Sequence, residues 1–217
     1  MFTRAIIDFD DTLFNAKLLK DDIAAVFGEF GVGPQIFWES YKEARNSRDG
    51  KMLYTFTFER QLQVLTKDYI FIDIDQAKQR LNGLLTNQER YVFPDAAEFL
   101  ATLKSRGTEL ILLSLGEENF QFKKLENSRL AKFFNQVFLV SDSKLNILSQ
   151  ILGQESSQNV LVNDKIKETQ EIASRYPELR AVLKTRSDVP LSEYANSGLP
   201  HFNTLTDIKD YLEHQII

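Results

Sequence analysis

The sequence has no cysteine, only two histidines, and no apolar run long enough to cross a bilayer. Without cysteine there is no disulfide framework, no thiolate zinc site and no thiol nucleophile, and a reducing compartment is the natural setting. His201 and His214 both lie near the end of the chain, which argues against a histidine-based triad or a multi-histidine metal centre. A spanning helix needs about 18 or more consecutive apolar residues, and none occur. The opening Met1–Asp8 segment turns acidic too soon for a signal peptide. These features predict a cytoplasmic protein with no membrane partner. Basic residues are also in deficit, 26 against 31 acidic, for a net charge of −5. Phosphate backbones require a basic footprint, so no nucleic-acid partner is expected. No fixed-period repeat or low-complexity tract is present.

What is present is an ordinary globular composition, 43% hydrophobic and 26% charged over 217 residues. A chain of this size buries roughly 70% of its unfolded surface, enough for one or two domains. Chemistry in this protein must rest on carboxylates, hydroxyls and lysines.

Short apolar runs at Ala5–Ile7, Leu110–Leu113, Val137–Val140, Val160–Val162 and Ala181–Leu183 read as strands. They are continuous rather than alternating, the signature of parallel strands covered on both faces. Helical patterns lie between them, at about Glu118–Asn127, Lys144–Leu152, Ile166–Tyr176 and Thr206–Glu213. Another begins at Asp95, which with Glu98 forms a capping pair, and is stopped by Gly107. The alternation from residue 92 onward predicts a doubly wound, Rossmann-like α/β fold.

Residues 15–91 break the rhythm with four helices, about Leu18–Phe30, Gln35–Asn46, Thr57–Lys67 and Asp75–Glu89. The predicted organisation is therefore an α/β core of residues 1–14 and 92–217 interrupted by a helical subdomain at 15–91. Gly28–Gly33 follows a helix rather than a strand, so it reads as a helix stop and not a nucleotide loop. Asp73-Ile74-Asp75 reads as a turn with Asp75 as helix N-cap, although 69–75 is open to a short strand instead. Lys123-Lys124 reads as a solvated helix face.

Ligands of open parallel sheets bind beyond the carboxyl ends of the strands. Those ends carry Asp8, Asp10 and Thr12 after the first strand, Ser114-Leu115-Gly116 after the second, Lys144 after the third, and Asn163-Asp164 with Glu168 after the fourth. Like charges about 4 Å apart repel by roughly 4 kcal/mol at an effective dielectric near 20. Asp8, Asp10 and Asp164 crowded together must therefore bind protons or a cation. Oxygen ligands without histidine or cysteine suit Mg²⁺. Ser114 and Lys144 would then face an anion shared with the metal, most simply a phosphate, with backbone N–H groups around Leu115 completing its cradle.

These residues resemble the motifs of the haloacid dehalogenase-like hydrolase superfamily over nearly the whole chain. Asp8, Asp10 and Thr12 match its DxDxT motif, Ser114 its strand-end hydroxyl, Lys144 its lysine, and Asp164 with Glu168 its acidic pair. The helical insert stands where this family carries an α-helical cap. The resemblance implies a Mg²⁺-dependent phosphatase of a small phosphorylated substrate. Asp8 would be the nucleophile, Asp10 the acid and base, and Ser114, Leu115 and Lys144 the phosphate binders. The metal would be held by Asp8, the Asp10 carbonyl and Asp164, with Glu168 as ligand or supporting group. The chain departs from the pattern in Asn163, where glycine is usual, in Glu168, where aspartate is commoner, and in lacking a proline after Lys144. Lys165 and Lys167 are rival cations.

A phosphotransferase or mutase of the same fold, and a non-catalytic phosphate-binding module, are alternatives. A dehalogenase is disfavoured because halide displacement needs no acid such as Asp10. Substrate choice is expected in the insert, at Arg45, Arg48 and Lys51, with Phe14 and Asn15 as further candidates.

Overall fold

The computed structural model describes residues 2–46, 54–68, 72–152 and 158–214. Six strands form one sheet: β1 (Arg4–Ile7), β2 (Glu109–Leu115), β3 (Gln136–Val140), β4 (Asn159–Asn163), β5 (Arg180–Lys184) and β6 (His201–Phe202). Their order is β3-β2-β1-β4-β5-β6 and every pairing is parallel. β1 is central, flanked by β2 and β4, so the chain reverses its direction of travel across the sheet there.

Alternation along each strand divides the buried side chains between two faces. Ile6, Ile111, Leu113 and Leu161 face one side, against Leu148, Ile151 and Ile172 of α7 (Leu145–Leu152) and α8 (Ile166–Arg175). Ile7, Leu112, Val162 and Val182 face the other, where α5 (Ala96–Ser105) and α10 (Leu205–His214) contribute Phe99, Leu103, Ile208 and Leu212. Both faces are apolar, which is why the strands read as unbroken hydrophobic runs.

α1 (Ala16–Glu29), α2 (Pro34–Arg45), α3 (Phe58–Asp68) and α4 (Ile74–Thr86) follow β1 and precede α5. They pack on one another, α1 against α4 and α2 against α3. α1 is capped by Asn15, whose Oδ1 accepts from the Leu18 N–H at 2.9 Å. It stops at Gly31, whose φ of +80° takes the left-handed conformation that glycine permits without strain. Among the described residues no helix is long and apolar enough to cross a membrane.

The structure corrects several local expectations. Asp73, not Asp75, caps α4, its Oδ1 accepting from the Gln76 N–H at 3.0 Å. The residues of the open strand reading at 69–71 lie outside the described residues. Asp95 makes no side-chain cap on α5. Its Oδ2 instead accepts from the N–H groups of Leu205 and Thr206 at 2.8 and 3.1 Å, capping α10 more than a hundred residues away. Glu98 turns to Lys209 at 3.7 Å rather than back to its own helix start. Helix α9 (Leu191–Ala195) and strand β6 had no sequence signal, being too short for any periodicity to register.

Candidate active site

The chain leaves β1 through a tight loop in which the Phe9 carbonyl accepts from the N–H groups of Thr12, Leu13 and Phe14 at 3.3, 2.9 and 3.0 Å. Asp11 sits at φ 60°, a left-handed position that aspartate tolerates better than most residues. This loop holds Asp8 at the strand end, its N–H still in the ladder to the Val162 carbonyl at 2.9 Å. It also folds Asp10 back over the sheet edge. The Thr12 hydroxyl, fully buried, donates to Asp8 Oδ2 at 3.3 Å.

Lys144 Nζ reaches the same carboxylate from the next layer, 2.7 Å from Asp8 Oδ1. It also lies 3.0 Å from Glu168 Oε2 and 3.0 Å from Asn163 Oδ1, so all three ammonium protons have acceptors. Burial alone would depress this lysine, but Asp8 and Glu168 outweigh it and hold the ammonium above the ordinary lysine range. Of the three rival lysines, Lys144 is the one on Asp8. Lys165 lies beside Tyr54 at the cavity wall, and Lys167 is exposed. Glu168 is occupied by Lys144 and by the Asn163 amide at 3.0 Å, which makes it a partner of the lysine that pairs with Asp8. Asn163, in the glycine position of the resemblance, earns its place by bridging Lys144, Glu168 and the Thr169 hydroxyl.

Asp164 ends β4 beside Asp8. Burial first, and the Asp8 charge second, push its carboxyl up to about 7. Its Oδ2 accepts from Arg186 Nη1 at 3.1 Å, whereas Oδ1 is buried without a hydrogen-bond partner. Two adjacent carboxylates with an orphaned buried oxygen form a donor set suited to a hard cation. Mg²⁺ is commonly held by one or two carboxylates together with substrate phosphate and water. Asp8 and Asp164 could supply those two carboxylates, although among the described residues no cluster of three or more acidic or histidine side chains could hold a metal ion, and the Asp10 carbonyl is a ligand only by the resemblance.

Asp10 is held by two residues that sequence reasoning did not assign to the site. Gln121 Nε2 donates to Asp10 Oδ2 at 2.8 Å, to the Leu115 carbonyl at 3.0 Å and to Ser114 Oγ at 3.2 Å. Lys124 pairs with Asp10 Oδ1 and donates to Gln121 Oε1 at 2.8 Å. Burial raises the Asp10 carboxyl, but Lys124 more than offsets it, and the group stays below the ordinary carboxylate range. The expectation of a solvated Lys124 is therefore overturned. On α6 (Glu118–Asn127) the residues Gln121, Lys124 and Leu125 share the buried face, while Lys123 is exposed. Their three- and four-residue spacing was a readable signal, masked by the assumption that paired lysines face water. Lys124 Nζ also sits 4.9 Å over the Phe14 ring and 5.4 Å over Phe9, favourable cation–π positions. Gly116 is required here, since a Cβ would come within 2.7 Å of the Gln121 side chain.

A cavity of about 200 Å³ opens over these groups, lined by Asp8, Asp10, Leu115, Gly116, Lys124 and Asp164 among others. Ser114 lies just behind, 1% exposed under Gln121. Arg45 lines the cavity from the insert, its guanidinium 4.8 Å over the Tyr54 ring, while Arg48 and Lys51 lie outside the described residues. Phe14 is core and Asn15 is the α1 cap, and neither lines this cavity. Arg186, unforeseen in the sequence, spans the rim. Its Nη1 is 3.1 Å from Asp164 and 3.6 Å from Asp11, and its other edge is bidentate on Asp188 at 2.9 and 2.6 Å.

Known structures share this architecture. A candidate haloacid dehalogenase-like hydrolase from Burkholderia xenovorans matches 98% of this chain and 97% of its own, with a TM-score of 0.74 and 20% identity. A hydrolase of that type from Bacillus subtilis, bound to magnesium, matches 97% of this chain and 98% of its own, with a TM-score of 0.61 and 16% identity. The L-2-haloacid dehalogenase of Xanthobacter autotrophicus, with chloropropionic acid covalently bound, matches 98% and 99%, with a TM-score of 0.63 and 15% identity. At these identities the likeness is one of fold. A comparison with curated proteins gives no match. The family model of haloacid dehalogenase-like hydrolases matches residues 5–175, from the first strand through the acidic pair and α8. With its strand-end carboxylates, its buried lysine and most of its length inside that match, the chain belongs to the haloacid dehalogenase-like hydrolase family.

Proposed function

We propose that the protein is a Mg²⁺-dependent phosphatase acting on a small phosphorylated metabolite through an aspartyl-phosphate on Asp8. The observation that carries this reading is the second carboxylate, Asp10, in the same cavity as the nucleophile and held by Lys124 and Gln121. Displacing an alkoxide calls for a proton donor, whereas displacing a halide does not. That difference favours phosphoryl transfer over dehalogenation.

In the first step an Asp8 oxygen attacks phosphorus, the phosphorus–oxygen ester bond breaks, and the leaving oxygen takes a proton from Asp10. In the second step Asp10 removes a proton from water as the water oxygen attacks phosphorus. The aspartyl bond breaks, releasing phosphate and regenerating Asp8. Lys124 stabilises the ionised Asp10 that the second step uses. A phosphoryl dianion beside Asp10 raises its proton affinity for the first. Lys144 and Thr12 orient the nucleophile, and the backbone N–H of Leu115 would meet the phosphoryl oxygens, the Gly116 N–H being donated to the Val140 carbonyl at 2.8 Å. Mg²⁺, held by Asp8, Asp164 and the Asp10 carbonyl, would supply charge neutralisation. The magnesium bound by the Bacillus subtilis structure supports that choice of ion.

Phosphate release from a panel of phosphate esters, with Mg²⁺ and with EDTA, tests the proposal. Turnover should require Mg²⁺ and disappear in Asp8→Asn. Equal rates in wild type and Asp8→Asn would rule out Asp8 as the nucleophile.

A further inference from the structure

The cavity has two unlike halves. One carries the carboxylates and lysines described above. The other is apolar and is built mainly by the inserted helices: Ala16, Leu19 and Ile23 from one face of α1, Tyr41 from α2, then Phe56, met by Phe120 from α6. The aromatic members touch one another. Tyr41 and Phe56 have centroids 4.7 Å apart, and Phe56 meets Phe120 edge-on at 5.5 Å and 86°. Phe120 reaches back to the chemistry, with Lys124 Nζ 5.8 Å from its ring. Burial pushes the Tyr41 hydroxyl up to about 12, as expected of a ring set in a dry wall.

Three polar groups that line the cavity beyond the phosphoryl end, Gln121, Glu117 and Asp11, are already engaged. The Gln121 amide is fully used by Asp10, Ser114, Leu115 and Lys124. The Glu117 carboxylate caps α6 through the Phe120 N–H at 2.7 Å. Asp11 accepts from the Lys17 N–H at 3.2 Å and faces Lys20 and Arg186. Among the described residues the insert brings only Lys20, Arg45 and two tyrosine hydroxyls as polar lining. Aromatic rings can stack on sugars as well as on aryl groups, so the rings alone do not discriminate. The aliphatic and phenyl faces do, because a hydroxyl set against Ala16, Leu19, Ile23, Phe56 or Phe120 gives up its hydration without a partner, whereas an apolar group loses nothing there.

Resting on the phosphatase reading, we infer that the substrate is the phosphate ester of a small, flat, apolar alcohol, an aryl or arylalkyl phosphate, rather than a sugar or polyol phosphate. The volume, about 200 Å³, is below the ~300–1,000 Å³ of drug-sized ligand sites and suits a phosphoryl group with one ring.

The test compares esters whose leaving oxygens are all primary alkoxides, so that chemistry does not set the order. Benzyl and 2-phenylethyl phosphate are measured against glycerol 3-phosphate and glucose 6-phosphate with Mg²⁺. The aryl esters should lead in kcat/KM by at least roughly tenfold, carried mainly in KM. Phe56→Asn should erase most of that lead while leaving inhibition by inorganic phosphate unchanged, since phosphate occupies only the polar half. Calorimetric binding of benzylphosphonate, which is not hydrolysed, gives a readout independent of turnover. Equal or better turnover of the sugar and polyol esters overturns the inference and leaves the phosphatase reading standing. Tight benzylphosphonate binding, lost in Phe56→Asn, with no ester turned over, retires the phosphatase reading and keeps the apolar site. Neither turnover nor phosphonate binding overturns both.

Discussion

Lys144 is the position where a single substitution is most informative. Its ammonium is fully buried and is shared among Asp8, Glu168 and Asn163 at 2.7, 3.0 and 3.0 Å. Methionine approximates the stem without the charge, so Lys144→Met leaves the buried Asp8 without its cation and the half-buried Glu168 with only the Asn163 amide. Breaking one side of a buried ion pair costs about 3–5 kcal/mol, a large share of the roughly 5–15 kcal/mol that stabilises a domain. In a chain of this length that corresponds to a fall of roughly 6–20 °C in Tm. The pH dependence has a defined sign. In the wild type the folded-state pKa of Lys144 is raised, so its contribution is complete below the ordinary lysine value near 10.4 and is lost only above it. Glu168 is lowered, so its contribution is present above the ordinary glutamate value and is lost as the pH falls through its depressed one. Once the lysine is gone, the burial that raises Glu168 is less opposed, and the variant should recover part of its deficit between pH 7 and pH 5. Adding Glu168→Gln should also restore stability, by about 0.5–3 kcal/mol relative to additivity, as coupled neighbours do. Denaturation midpoints by circular dichroism at both pH values measure each quantity. An unchanged midpoint for Lys144→Met at pH 7 would refute the reasoning.

Asp164 should behave in the opposite sense. Its carboxyl is raised to about 7, so metal-free protein should lose stability as the pH climbs from about 4 to about 7, by an amount on the order of 2–4 kcal/mol, and Mg²⁺ should restore it. Asp164→Asn should flatten both the pH slope and the Mg²⁺-induced rise in Tm. A Mg²⁺ response as large as that of the wild type would remove Asp164 from the metal site. Asp95→Ala should cost about 0.5–2 kcal/mol and expose the first-turn amides of α10 to hydrogen exchange, because Asp95 caps that helix. Loss of protection in α5 instead would contradict this.

Composition and pattern determined a good deal of this protein. Unbroken apolar runs fixed five of the six strands, since a strand covered on both faces has no polar side to interrupt it. Absence of cysteine and scarcity of histidine confined the chemistry to oxygen and lysine groups. Asp8, Asp10, Lys144 and Asp164 were legible because strand ends in a parallel sheet converge on one edge whatever the loops between them do.

Tertiary structure alone decided how those groups are joined. That Lys144 and not Lys165 reaches Asp8, and that Glu168 answers the lysine, depends on the distance between β3 and β4 across the sheet, which no local spacing encodes. That Asp95 caps a helix a hundred residues onward depends on α5 and α10 lying side by side. The burial of Lys124 against Asp10 follows from which face of α6 the sheet turned inward. The aromatic wall arises where Tyr41 of α2, Phe56 from the segment before α3 and Phe120 of α6 meet over the cavity, residues far apart in the chain brought into contact. Local sequence sets propensity and period, but pairing, burial and charge compensation are properties of contacts between distant segments, and they exist only once the chain has closed.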